Sequence, residues 1–422
     1  MNTAPRPDQD HSGHSKPQGF SEPQAIKGVP LLDLNRQYLP LQEEFAAALR
    51  QVCQTGQFVL GPQVTELEKA IGAYCQTPHA IGCASGSDAL LLALMALDIG
   101  PGDEVILPSF TFFATASAVT RLEATPRFAD IDRATYNISP ASVAALMGTN
   151  TRAIIPVHLF GQCAAMDELR RIAERSGVAI VEDAAQAIGA EFNGRRAGSM
   201  GQIGCLSFYP TKNLGGAGDG GMLTTCRDDL ADRLRLLRGH GMRPRYYHKE
   251  VGINSRLDSF QAAVLNVKLP HLDQWTAQRQ THAAHYTTLF GQRGLDRVLG
   301  LPRSQAGCRH VWNQYVIRVP DGRRDELREH LVQARVGSEI YYPLGLHQQE
   351  CFRYLGYRAG DLPETERAAA EVLALPIFPE LTAEEQHQVV ETIASYFGVE
   401  RGHALPEPKF LSRGERKSAD AR

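Results

Sequence analysis

From His79 onward, short apolar runs alternate with stretches in which apolar side chains recur every third or fourth position. The first pattern fits buried strands, the second helices with one buried face. Ala80–Cys83 is thus a predicted strand, Ser87–Leu97 a helix, Glu104–Leu107 a strand and Ala114–Arg121 a helix. Arg152–His158 follows as a strand, Met166–Ser176 as a helix, and Val178–Val181 as a buried strand ending in Glu182 and Asp183. Strand and helix in turn imply an α/β fold, a mainly parallel sheet with helices on both faces. In such sheets ligands bind beyond the carboxyl ends of the strands. A second region begins near Pro270: helix Asp273–Phe290, strand Val311–Val319, helix Arg324–Arg335, strand Glu339–Tyr342, then helices near 364–373 and 383–397. The expected division is a large domain over 27–270 and a smaller C-terminal α/β domain over 271–401.

Both ends break the pattern. Residues 1–26 are polar, rich in Pro, Gln, Ser and His, and residues 402–422 are rich in Lys and Arg. Each reads as a disordered extension, and the first lacks the apolar stretch of a signal peptide. Lys plus Arg total 44 against 47 for Asp plus Glu. That balance gives no electrostatic reason to expect nucleic acid or an anionic membrane. No apolar run is long enough for a bilayer span. The eight cysteines are scattered, without a C-x-x-C pair, so they read as reduced thiols in a cytoplasmic chain, with no metal or iron–sulfur spacing.

Four segments carry candidate chemistry. Ser85-Gly86-Ser87-Asp88 lies where a strand meets a helix start. Unpaired amides there favour a phosphate, Gly86 allows close approach and Ser87 adds a hydroxyl, although a plain N-cap explains the same residues. Val181-Glu182-Asp183 runs a buried strand into a carboxylate. A buried Asp needs a cationic or donor partner, for which a protonated pyridine nitrogen would serve; a helix cap is the bland alternative. Ser207-Phe208-Tyr209-Pro210-Thr211-Lys212 places a lysine just before a glycine-rich turn. Such a lysine forms a Schiff base if its surroundings lower its pKa, whereas a lone lysine is ordinarily a solvated charge. Phe110-Thr111-Phe112-Phe113 closes another strand with aromatics that stack on a flat ring or simply fill core.

Taken together, CASGSDALLLAL (83–94), GDEVILPSFTFFATA (102–116), AIIPVHLFGQ (153–162), VEDAAQAIGA (181–190), SFYPTKNLGGAGDGGML (207–223), INSRLDSFQAAVL (253–265) and EIYYPLGLH (339–347) resemble the DegT/DnrJ/EryC1/StrS sugar aminotransferases. These are fold-type I pyridoxal-phosphate enzymes, and the resemblance spans roughly residues 29–400. It implies that Lys212 is the Schiff-base lysine, that Asp183 partners the pyridine nitrogen, that Gln186 bonds the ring hydroxyl and that Phe112 stacks on the ring. Gly86, Ser87 and Ser207 would hold the phosphate. Asn254, with Arg256 second, would complete it from a neighbouring subunit, which implies a homodimer with shared sites.

The implied reaction moves an amino group from an amino acid, L-glutamate by resemblance, to a keto-sugar nucleotide, in making an amino sugar for a surface polysaccharide or secondary metabolite. The alternatives are a dehydratase of the same family, whose members carry His at the lysine position, and a non-catalytic regulatory protein. His158, Tyr341, Tyr342 and His347 are the substrate-contact candidates; a hydrogen-bonded core histidine fits His158 equally well. Gly216-x-Gly218-x-x-Gly221 matches a dinucleotide fingerprint but precedes a strand, not a helix, so it is rejected. His282 and His285 lie at helical i, i+3 spacing without a third metal ligand and read as a polar helix face.

Overall fold

The computed structural model describes residues 28–399. The extensions expected at 1–26 and 402–422 lie outside the described residues. The large sheet has seven strands: β1 (His79–Cys83), β2 (Glu104–Pro108), β3 (Thr125–Ala129), β4 (Thr151–Ile154), β5 (Ala179–Asp183), β6 (Ile203–Ser207) and β7 (Gly221–Thr225). Their spatial order is β1-β7-β6-β5-β4-β2-β3. Only β7 runs against its neighbours, pairing antiparallel with β1 and β6. The ladders β2–β3, β2–β4, β4–β5 and β5–β6 are parallel.

Neighbouring residues on each strand enter opposite cores, because successive side chains leave a strand on opposite faces. Ile106, Ile154, Ile180, Leu206 and Met222 pack in one cluster, and Val105, Ala153, Val181, Cys205 and Leu223 in the other. Burial on both faces is why these strands read as near-continuous apolar runs. The first cluster is covered by helices such as Pro62–Tyr74, Met166–Ser176 and Ser259–Lys268, the second by Gly86–Ala96, Ala114–Thr120 and Asp228–Leu237.

Three expectations change. The strand over Arg152–His158 stops pairing regularly at Ile154 and continues as a single bridge from Val157 to Asp183. Pro156 has no N–H to continue the ladder. Glu339–Tyr342 is not a strand; only Glu339 pairs, with Ala374. The helix expected over 364–373 spans Pro363–Glu371, and Val372–Leu375 then pairs antiparallel with Tyr315–Arg318 as a two-stranded sheet. These strands pack with Tyr286, Phe290, Leu327, Leu331 and Ile393 in a separate core.

Contacts cross the division expected at 270. Val29, near the start of the described chain, joins that last core, and its N–H donates to the Arg335 carbonyl. Leu346, Phe352 and Leu362 instead pack against the large sheet.

Candidate active site

The carboxyl ends of β1, β2, β5 and β6 deliver the four candidate segments to one place. Ser85 caps the helix Gly86–Ala96, its hydroxyl accepting from the Asp88 amide at 3.1 Å. The Gly86 and Ser87 amides have no partner among the described residues, as expected for a helix N-terminus. A Cβ at Gly86 would lie 2.7 Å from the Ser207 Cβ, so only glycine lets the two segments approach this closely. Ser87 is exposed beside them, and the Ser207 hydroxyl accepts from the Tyr209 amide at 3.3 Å, keeping its own proton to donate.

Asp183, at the end of β5, is 5% exposed. Its carboxylate accepts from the Thr115 hydroxyl at 2.8 Å and the Ala185 amide at 3.2 Å. Burial pushes this carboxyl above the ordinary aspartate value, opposed by Thr115, Ala185 and the charge of Lys212. Burial likewise holds the Lys212 ammonium below the usual lysine range, while the Asp183 charge pulls the other way. The two side chains feel one another across the site. No hydrogen bond or ion pair engages the Lys212 amine among the described residues, and its amide donates to the Tyr209 carbonyl.

Aromatic rings wall the same space. Phe112 is 58% exposed, with its ring centroid 6.3 Å from that of Tyr342, which also meets the buried Phe110 at 5.9 Å. The Gln186 side-chain carbonyl accepts from the Phe160 amide at 2.7 Å, which fixes its NH₂ as the end left to donate. That NH₂ reaches the Tyr342 hydroxyl at 3.4 Å.

The profile of the DegT/DnrJ/EryC1/StrS aminotransferase family matches residues 40–394. The chain belongs to this family. A relative called pleiotropic regulatory protein, from Geobacillus stearothermophilus, is 51% identical over 87% of this chain and 98% of its own length. The UDP-N-acetyl-3-dehydro-alpha-D-glucosamine 3-aminotransferase of Acidithiobacillus ferrooxidans is 43% identical over 86% of this chain and 97% of its own. Among solved structures, DesV of S. venezuelae in complex with a ketimine intermediate superposes with a TM-score of 0.84 at 42% identity, covering 87% of this chain and 98% of that one.

The remaining candidates of this DegT/DnrJ/EryC1/StrS chain divide. Tyr342 lines the site and Tyr341 stands beside it, ring centroids 6.0 Å apart. His158 does not reach the site as a free group. It is 0% exposed, its Nε2 meets the Glu182 carboxylate at 2.9 Å and its Nδ1 accepts from the Ala164 amide at 3.1 Å. His347 is likewise committed, with Nδ1 2.6 Å from the Ser109 hydroxyl and Nε2 3.2 Å from Glu366. Both ring nitrogens of each histidine are thus engaged within the fold.

Asn254 is exposed and Arg256 half-buried, and neither side chain has a partner among the described residues. Between them Ser255 is fully buried and accepts from the Ala84 amide at 3.1 Å, tying this loop to the strand end before Ser85. Gly216 and Gly218 pack against Gln261, whose carbonyl accepts from the Ala217 amide at 2.8 Å, and Gly221 opens β7. On the helix Leu272–Gln292, His282 and His285 bond the Pro379 carbonyl and the Gln386 side chain at 2.9 Å each. Sequence reasoning did not select Thr115, Ser255 or Glu182, whose partners come from distant segments.

Proposed function

We propose that this chain is a pyridoxal 5'-phosphate enzyme that transfers an amino group from an amino-acid donor, L-glutamate, to a keto-sugar nucleotide. The charge coupling of buried Asp183 with half-buried Lys212 beside the Gly86–Ser207 cradle carries this reading. The residues fit the cofactor. Asp183 is a buried carboxylate held by neutral donors alone, and a protonated ring nitrogen adds the charged donor that offsets its burial. Two orphan amides and two hydroxyls suit the phosphate. Phe112 offers an exposed ring face, and the Gln186 NH₂ suits a ring hydroxyl.

When bound, the cofactor supplies a carbon that takes up an amine and a ring that withdraws electrons from it. Lys212 would hold that carbon through its Nζ. Its Nζ, once released, would serve as the base that takes a proton from the donor's α-carbon and then as the acid that gives it back. Burial favours this by keeping the amine closer to neutrality. Asp183 would hold the proton on the ring nitrogen. Asn254 and Arg256 of the partner subunit complete the phosphate site, so the working unit is a homodimer. Tyr341 and Tyr342 border the space left for the sugar.

Free cysteines, several of them fully buried, suit the reducing cytoplasm, and no helix of the described residues is long and apolar enough to cross a membrane. A relative with a regulatory name favours a second reading, that of a regulator. A regulator has no need of a half-buried lysine whose pKa is lowered by desolvation and which is coupled to a buried aspartate. Retention of Lys212 also separates the chain from the dehydratases.

The deciding experiment incubates the purified protein with pyridoxal phosphate, glutamate and a panel of UDP- and dTDP-linked keto-sugars, read by mass. An aminated sugar should form only when glutamate is present, and borohydride should trap the cofactor on Lys212. Colourless protein with no trapped adduct refutes the reading.

A further inference from the structure

Glu182, next to Asp183 on β5, points away from the site and is 0% exposed. Such a carboxylate survives burial only if its oxygens are fully engaged. They are. One oxygen accepts from the Met200 and Gly201 amides at 2.6 Å each; the other accepts from the Gly198 amide at 2.8 Å and meets His158 Nε2 at 2.9 Å. The Ala164 amide donates to His158 Nδ1, so that nitrogen carries no proton. The ring is therefore neutral, with its proton on Nε2 and directed at Glu182.

This couple joins three strand ends. Asp183 is bracketed by the chain beyond β4: its amide donates to the Pro156 carbonyl, and its carbonyl accepts from the His158 amide, both at 2.9 Å. The 198–201 loop leads directly into β6, which ends at Ser207. That loop has no slack: a Cβ at Gly201 would lie 2.7 Å from the Ile180 carbonyl oxygen, and Gly198 has φ of +88°.

We infer that Glu182 and His158 act as a positioning couple, fixing the spacing between Asp183, which would meet the cofactor's ring nitrogen, and Ser207, which would meet its phosphate. The inference rests on the cofactor reading above. Neither residue touches the cofactor; each acts through the backbone of one that does. Glu182→Gln keeps the shape but turns an acceptor into a donor. Its NH₂ must then face an amide N–H or the Nε2–H of His158, and moving the His158 proton to Nδ1 would only set it against the Ala164 amide.

The test titrates full-length wild type, E182Q and a control, Leu331→Ala, with pyridoxal phosphate, recording affinity and the absorption spectrum of the bound cofactor. Leu331 lies in the separate C-terminal core, so L331A lowers the melting temperature without touching the couple. We expect E182Q to weaken cofactor binding by about tenfold or more, the size of one buried unpaired donor, and to alter the spectrum. L331A should do neither. An E182Q protein that binds like wild type, or an L331A protein equally impaired at matched melting loss, overturns the inference. Should E182Q fail to fold, E182D, which keeps the charge but shortens the reach, must show the same two changes, and its failure to do so overturns it as well. A wild-type protein that binds no cofactor refutes the underlying reading, and this inference with it.

Discussion

Asp183 depends on a hydroxyl contributed 68 residues earlier in the chain. Thr115 sits in the first turn of the helix Ala114–Thr120, fully buried, and nothing in its local sequence marks it as a partner for a carboxylate. Thr115→Val keeps the shape and removes the donor. It should cost about 1–3 kcal/mol of stability, measurable by urea unfolding, as expected for a buried group left one partner short. It should also weaken cofactor binding, because the carboxyl, already raised by burial, loses the donor that most opposes the shift. Unchanged stability and affinity would show that Asp183 does not need Thr115. Asp183 and Lys212 stand out in the sequence as a carboxylate closing a buried strand and a lysine before a glycine-rich turn, each with a bland local alternative, and it is the family resemblance that gives them roles. The sequence leaves His158 open between a site residue and a hydrogen-bonded core histidine and offers His347 as a contact; the partners that engage their ring nitrogens, Glu182, Ala164, Ser109 and Glu366, are assembled only by folding.

The loop after Lys212 is held by side chains from other elements. Lys268, at the end of the helix Ser259–Lys268, donates to the Gly215 carbonyl at 2.6 Å, and Asn213 is bonded by Asn313 at 2.9 Å while donating to the Val311 carbonyl. Burial lowers the Lys268 pKa to about 8. The folded protein therefore holds that proton less tightly than the unfolded chain does. The penalty is full below pH about 8 and is relieved as pH rises toward the ordinary lysine value of about 10.4. Relative to K268M, wild type should thus gain thermal stability across that window. A difference that stays flat with pH would mean Lys268 titrates normally. Elements with clear end signals were legible: Met166–Ser176 is amphipathic and stops at Gly177, which adopts the left-handed conformation. Short apolar runs were not. Val372–Leu375 carries no periodicity that separates strand from helix, and pairing with Tyr315–Arg318 decides it.

At the scale of the whole molecule, the proposed shared sites predict complementation between two crippled chains. Lys212→Ala lacks the cofactor lysine, and Asn254→Ala lacks the residue offered to the neighbour. Unfolded together and refolded as a mixture, they should recover roughly a quarter of the wild-type activity, because half the dimers are mixed and each of those has one intact site of two. No recovery, with mixed dimers verified by mass, would place Asn254 in its own chain's site. The alternation of buried runs and amphipathic stretches determined the α/β class, the parallel sheet and the end of it where chemistry gathers, because side-chain periodicity is a property of neighbouring residues. Only the tertiary structure decided that β7 runs against its neighbours, that Val29 joins a core built from the far end of the chain, and that Glu182 faces away from the site while Asp183 faces into it. The reason is physical: a buried polar group is defined by the donors and acceptors around it, and those come from segments that meet only in the folded chain.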